Sequence, residues 1–151
     1  MVEQAAASRF LTRHARVGLD TSIFIYLVQD HPRYGAWCAA LFARIERNEL
    51  DAVASTVSYL EALVLPYRVV DEELLERFYG LLDTYPHLKW VPLTIEIADR
   101  AAELRARYRL STPDAIQVAT AIEAGATGFV GNDRGLKKIR EIDCVILDDE
   151  V

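Results

Sequence analysis

Short apolar segments alternate along the chain with longer stretches in which apolar residues recur every three or four positions. The short segments are Val17–Leu19, Asp51–Ala54, Leu88–Leu93, Gly128–Val130 and Cys144–Leu147, and they read as strands. Between them Trp37, Leu41 and Ile45 recur at i+4, while Val57, Leu60 and Val64 follow i, i+3, i+7. Leu74, Leu75, Phe78, Leu81 and Leu82 form a broad helical stripe, and Ile97, Ala101, Leu104 and Tyr108 form another. A fifth stripe, Ala115, Ile116, Ala119 and Ile122, is closed by Gly125, a residue suited to stop a helix. Strand–helix alternation predicts an α/β fold with a mostly parallel sheet covered on both faces. In such sheets ligands gather beyond the carboxyl ends of the strands, near a point where strand order reverses. The residues just after each strand therefore carry the interest.

Composition sharpens this only a little. The chain has 151 residues, 52% hydrophobic and 26% charged, which suits one domain with a sizeable core. No repeat, low-complexity linker or composition break divides it. Residues 17–151 read as a single domain, and residues 1–16, with Arg9, Arg13 and Arg16, as an N-terminal arm or short extension. No apolar run reaches the length of a membrane span, and the first residues lack the apolar centre of a secretory signal. Cys38 and Cys144 have no CxxC partner, so two buried thiols in a reducing cytoplasm are expected. A net charge of −6 argues against nonspecific nucleic-acid binding through a basic surface, but leaves nucleic acid open as a substrate beside a bound metal.

Four acids fall where chemistry is expected. Asp20 in "VGLDTSIFIYLVQD" follows the first strand; it is either a helix cap or part of a site, and Thr21 or Ser22 could cap in its place. Glu61 in "STVSYLEAL" completes a capping box with Ser58, unless the helix starts earlier, at Ser55 or Thr56. Asp114 in "LSTPDAIQVATAIEAG" follows Thr112, a good N-cap, and Pro113, a good first helical residue. Asp133 in "FVGNDRGLKKIR" suits a turn. Each has an ordinary structural reading, yet together they could converge at one end of the sheet. Carboxylates packed together repel, and a divalent cation relieves the repulsion. All-oxygen ligation points to Mg²⁺ or Mn²⁺ rather than zinc. His14, His31 and His87 show no ligand spacing, and surface or capping roles are expected for them.

These residues carry a family resemblance. The pieces "LDTS", "SYLEAL", "TPDAIQVATAIEAGA" and "GFVGNDRGL" resemble, in order and spacing, the PIN-domain proteins, particularly the VapC-type toxin ribonucleases of toxin–antitoxin pairs. The resemblance covers nearly all of the chain after residue 16. It implies a three-layer α/β/α fold with a five-stranded parallel sheet of order 3-2-1-4-5, and Mg²⁺- or Mn²⁺-dependent cleavage of RNA. It also implies a homodimer and a small antitoxin protein as partner. The chain departs from the usual pattern in having Gly131 where a Thr is common and Leu136 where an aromatic is common.

On this reading Asp20, Glu61 and Asp114 hold the metal, and Asp133 completes the shell or orients a second ion. The metal lowers the pKa of a bound water and stabilises charge on the phosphate. Thr21, Ser22 and Asn132 are candidates for orienting an acid or water. Two basic clusters flank the acids: Arg105, Arg107 and Arg109, then Arg134, Lys137, Lys138 and Arg140. Of these, Arg107, Arg109, Arg134 and Lys137 are the candidate RNA-phosphate contacts. Tyr34, Trp37, Phe42, Tyr67 and Tyr79 serve either core or contact. Two other readings compete. An aspartyl phosphotransferase usually wants a second acid two residues after the first, where this chain has Ser22. A PIN-like RNA- or protein-binding module with a weakened site is the non-enzyme alternative, and Gly131 is the feature that favours it.

Overall fold

In strand β1 (Arg16–Leu19), Val17 and Leu19 are buried on one side, while Gly18 lies against Ala121 and Phe129 on the other. That alternation organises the molecule. The computed structural model describes residues 9–151. The chain continues through α1 (Thr21–Val28), α2 (Gly35–Glu46), β2 (Asp51–Ser55), α3 (Thr56–Arg68), α4 (Glu72–Thr84), β3 (Leu88–Val91), α5 (Ile95–Tyr108), α6 (Thr112–Glu123) and β4 (Gly128–Gly131). A 3₁₀ turn (Arg134–Lys138), β5 (Asp143–Ile146) and a short α7 (Leu147–Glu150) complete it. The five strands are all parallel, in the order β3-β2-β1-β4-β5.

Two cores cover the sheet. Val17, Leu19, Ala52, Ala54, Val130 and Val145 face a core built with α1 to α4, around Phe24, Trp37, Phe42 and Phe78. Val53, Phe129 and Ile146 face the other, built with α5, α6 and the 3₁₀ turn. Gly18 lets α6 approach β1, since a Cβ there would sit 2.4 Å from that of Ala121. The expected three-layer α/β/α architecture and strand order are both present. The order reverses between β1 and β4, so the residues after those two strands share one crevice.

Several boundaries differ from the sequence reading. β3 ends at Val91, not Leu93, because its partner β2 ends at Ser55, the residue paired with Val91. Pro92 then offers no N–H to extend the ladder. β5 ends at Ile146 for the same reason: its partner Gly131 is the last residue of β4, and Leu147 opens α7. Gly125, at φ +81°, follows α6 as a helix stop.

The segment before β1 packs onto the domain as far as it is described. Phe10 and Leu11 are buried in the first core; residues 1–8 of the expected arm lie outside the described residues. His14 is not at the surface. Its buried ring bridges Thr127 Oγ1 and Asp143 Oδ2, both at 2.8 Å, because a flanking segment that docks needs polar ties to the strands it crosses. His31 closes the turn ahead of α2, its Nδ1 accepting from the N–H groups of Arg33 and Tyr34, and the helix itself has no side-chain cap. Cys38 is buried and Cys144 half-buried; burial pushes each thiol up to about 12. Among the aromatics, Trp37 and Phe42 belong to the core, Tyr34 and Tyr79 are partly buried, and Tyr67 is exposed. No helix among the described residues is long and apolar enough to cross a membrane.

Candidate active site

Asp20 leaves β1 and stands at the N-cap position of α1, with its N–H donated to the Val130 carbonyl of β4 at 3.0 Å. Its side chain makes no capping bond; the Ser22 hydroxyl donates to its Oδ2 at 3.0 Å instead. Burial, reinforced by Asp114 and Glu61, raises the carboxyl from 3.8 to about 6, against the Ser22 bond and the Thr21 backbone, which lower it.

Glu61 lies inside α3. Ser55 caps that helix, its Oγ accepting from the Val57 N–H at 3.1 Å, so the capping box expected on Ser58 does not form. The helix starts directly at the end of β2, which places Ser58 within the first turn, its hydroxyl buried and without a partner. Glu61 Oε1 accepts from Thr21 Oγ1 at 2.8 Å and from Gln117 Nε2 at 2.6 Å.

Asp114 lies in the first turn of α6. The cap is Ser111, whose Oγ accepts from the Asp114 N–H at 3.3 Å, not Thr112. Thr112 is the first residue of the helix itself, and a one-residue offset is below what sequence pattern resolves. Burial raises the Asp114 carboxyl, the Ser111 bond opposes it, and Asp133 and Glu61 add to the rise.

Asp133 follows β4 by two residues and is exposed, with Oδ1 accepting from the Gly135 N–H at 2.8 Å. It keeps the turn role while facing Asp114. Asp20, Glu61 and Asp114 therefore influence one another electrostatically, and exposed Asp133 acts on Asp114. Among the described residues no three His, Cys, Asp or Glu side chains stand close enough to complete a metal shell by themselves. An all-oxygen set of separated carboxylates with room for water between them suits a hard divalent cation.

Gly131 borders this crevice. A Cβ on it would lie 2.6 Å from Leu136 Cδ1 and 3.3 Å from Asp20 Oδ2. Leu136 is buried and fills that space, so the two departures from the family pattern occupy one packing site.

The flanking polar residues divide. Thr21 and Ser22 each hold an acid. Asn132 does not: its Nδ2 donates to Tyr26 Oη and its Oδ1 accepts from the Asp148 N–H, fixing the C-terminal turn. Most of the basic candidates are engaged. Arg107 pairs with Glu141 at 2.5 Å and Glu103 at 3.4 Å, Arg134 with Asp148 and Asp149, and Lys137 with Asp149. Arg109, at φ 56° after α5, is exposed and makes no ion pair among the described residues. Gln117 was not anticipated. Its signal was a polar residue one turn past Asp114 in a stripe otherwise apolar and small.

The PIN domain family model matches residues 17–142. No curated protein matches the sequence. Among solved structures, a chain of a toxin-antitoxin complex from Klebsiella pneumoniae is 22% identical, with a TM-score of 0.65 over 87% of this chain and 97% of that one. VapBC2 from Rickettsia felis, bound to a DNA fragment from its promoter, gives 20% identity and 0.62 over 87% and 98%. DNA-bound VapBC from Salmonella typhimurium gives 18% and 0.62 over 87% and 97%. At these identities the likeness is one of fold.

Proposed function

The chain belongs to the PIN domain family, and from that premise we propose that it is a Mg²⁺- or Mn²⁺-dependent ribonuclease, the toxin of a toxin–antitoxin pair acting in the cytoplasm. The observation that carries this reading is the mutual approach of Asp20, Glu61 and Asp114 beyond the carboxyl ends of the strands, with Asp20 raised to about 6. Nothing in the core requires three acids there, and unrelieved repulsion destabilises the fold.

A divalent cation, when bound, polarises water and offsets charge on the scissile phosphate. Asp20, Glu61 and Asp114 would hold it, and Asp133 at the open side would complete its surroundings. Ser22 steadies Asp20, and Thr21 steadies Glu61, through the bonds described. Of the four candidate cations, Arg109 is the one that is exposed and makes no ion pair among the described residues, and it lies two residues before the cap of the helix that carries Asp114, which suits contact with an RNA phosphate. Leu136 fills the space that a side chain on Gly131 would take, beside Asp20, which supports a packed rather than a collapsed site at this position.

The partner reading leans on the neighbours, which are toxin–antitoxin complexes. Leu60, Val64 and Tyr67 of α3, with Leu93 and Ile95 after β3, are exposed and apolar. Such a surface suits a small antitoxin or a second copy of the chain.

The test is cleavage of single-stranded RNA by purified protein with Mn²⁺ or with excess EDTA, and with Asp20→Asn as control. Cleavage only by wild type and only with metal is expected. Undiminished cleavage in EDTA, or by the variant, overturns the reading.

A further inference from the structure

Three elements each supply an acid to the crevice, and beneath those acids lies a buried polar network that joins the same three elements. Asp20 is followed by Thr21, which is 7% exposed; Asp114 is followed one helical turn later by Gln117, which is 3% exposed. Both converge on Glu61. Gln117 Nε2 donates to Glu61 Oε1 at 2.6 Å and to Thr21 Oγ1 at 3.0 Å, Thr21 Oγ1 donates to the same Glu61 oxygen at 2.8 Å, and Gln117 Oε1 accepts from the Thr21 N–H at 3.3 Å.

Chemistry fixes the orientation of that amide. A backbone N–H can only donate and an ionised carboxylate can only accept, so only one rotation of the Gln117 amide satisfies both neighbours. Of the other buried positions of α6, Ala115, Val118, Ala119 and Ala121 are apolar and small, and Thr120 returns its hydroxyl to the Ile116 carbonyl at 2.7 Å. An amide buried among them is retained only where its hydrogen bonds are made.

We propose that Gln117 is a positioning residue for the metal site: with Thr21 it holds Glu61 by Oε1, leaving Oε2 as the oxygen that would serve a cation, and fixes the spacing of α1, α3 and α6. This rests on the metal-nuclease reading above. Groups that orient ligands in this way typically change metal affinity or activity about 10–100-fold when removed.

The test uses the full chain with Gln117→Met, of similar length but without the amide, and the pair Thr21→Ser and Thr21→Val. Mn²⁺ binding is measured by isothermal titration, and RNA cleavage as kcat and KM separately. The expected result for Gln117→Met and Thr21→Val is Mn²⁺ binding weakened on the order of 10–100-fold, a lower kcat and an unchanged KM for RNA. Thr21→Ser, which keeps the hydroxyl, should bind Mn²⁺ as wild type does. Equal Mn²⁺ affinity in wild type and Gln117→Met overturns the proposal. If Gln117→Met does not fold, the Thr21 pair decides: equal loss in Ser and Val variants, or none in either, overturns it. Wild type that binds Mn²⁺ tightly, depends on Gln117 to do so and leaves RNA intact overturns the nuclease reading and supports the positioning role. Wild type that binds no Mn²⁺ overturns both.

Discussion

The hydroxyl of Ser22 donates to Asp20 Oδ2 at 3.0 Å, while the Asp20 side chain leaves uncapped the helix that it precedes. Its carboxylate is thus aimed at the crevice, and the folded protein holds its proton more tightly than the unfolded chain does, near 6 against 3.8. The sign follows. Ionising Asp20 subtracts stability as pH rises through that interval, and the loss is complete above it. In metal-free buffer above pH 6, Asp20→Asn should therefore be more stable than wild type by roughly 2–3 kcal/mol. The difference should vanish as pH falls below 3.8, where the folded and the unfolded wild-type chain are both protonated. Denaturant melts of both proteins across this range check it. A variant less stable at every pH would mark Asp20 as a cap.

Gly131 and Leu136 should behave as one packing unit. Gly131→Thr alone should destabilise by about 1–3 kcal/mol, because its Cβ meets Leu136. Leu136→Ala alone should cost about 2–5 kcal/mol through the cavity it opens. The double variant should be more stable than the sum predicts, since each change makes room for or fills the other. Additive losses in urea melts would contradict the shared site.

Ser55, which caps α3, and Ser58, inside its first turn, should respond oppositely. Ser55→Ala removes the cap bond to Val57 and should cost about 1 kcal/mol. Ser58→Ala removes a buried hydroxyl that has no partner, and should be neutral or stabilising. Urea midpoints with unchanged slopes are the readout.

Arg109 should contribute to RNA affinity where Arg107, tied to Glu103 and Glu141, should not. Asn tolerates the left-handed backbone at this position, so Arg109→Asn removes charge without strain. Made in the Asp20→Asn background, it should flatten the plot of log affinity against log salt by about 0.7, the value for one single-strand phosphate contact. Arg107→Gln should leave the slope unchanged.

Much of the architecture was legible because strands buried on both faces read as short apolar runs and the helices carry clear stripes. What failed was set by partners distant in sequence. Leu93 and Leu147 looked like strand residues, but the neighbouring strands ended first. Ser58 had the right spacing for a cap, yet Ser55 sat directly at the strand end. The four acids were found by position after strands and within helix starts, whereas Gln117 was hidden because its value lies in a contact with Thr21 and Glu61, 96 and 56 residues away. Arg134 and Lys137 looked free, and the C-terminal Asp148 and Asp149 that engage them could not be placed beforehand.

The account stands or falls on whether the carboxylates form one cation site. The direct measurement is the melting temperature of wild type, Asp20→Asn and Asp114→Asn, each in EDTA and in millimolar Mn²⁺ at neutral pH. Metal that binds only the folded state raises stability by about 2.7 kcal/mol at a hundred times its Kd. Wild type should start lowest in EDTA and gain several degrees with Mn²⁺, while both variants start higher and gain little. Variants that start lower in EDTA, yet gain as much from Mn²⁺ as wild type, would contradict it.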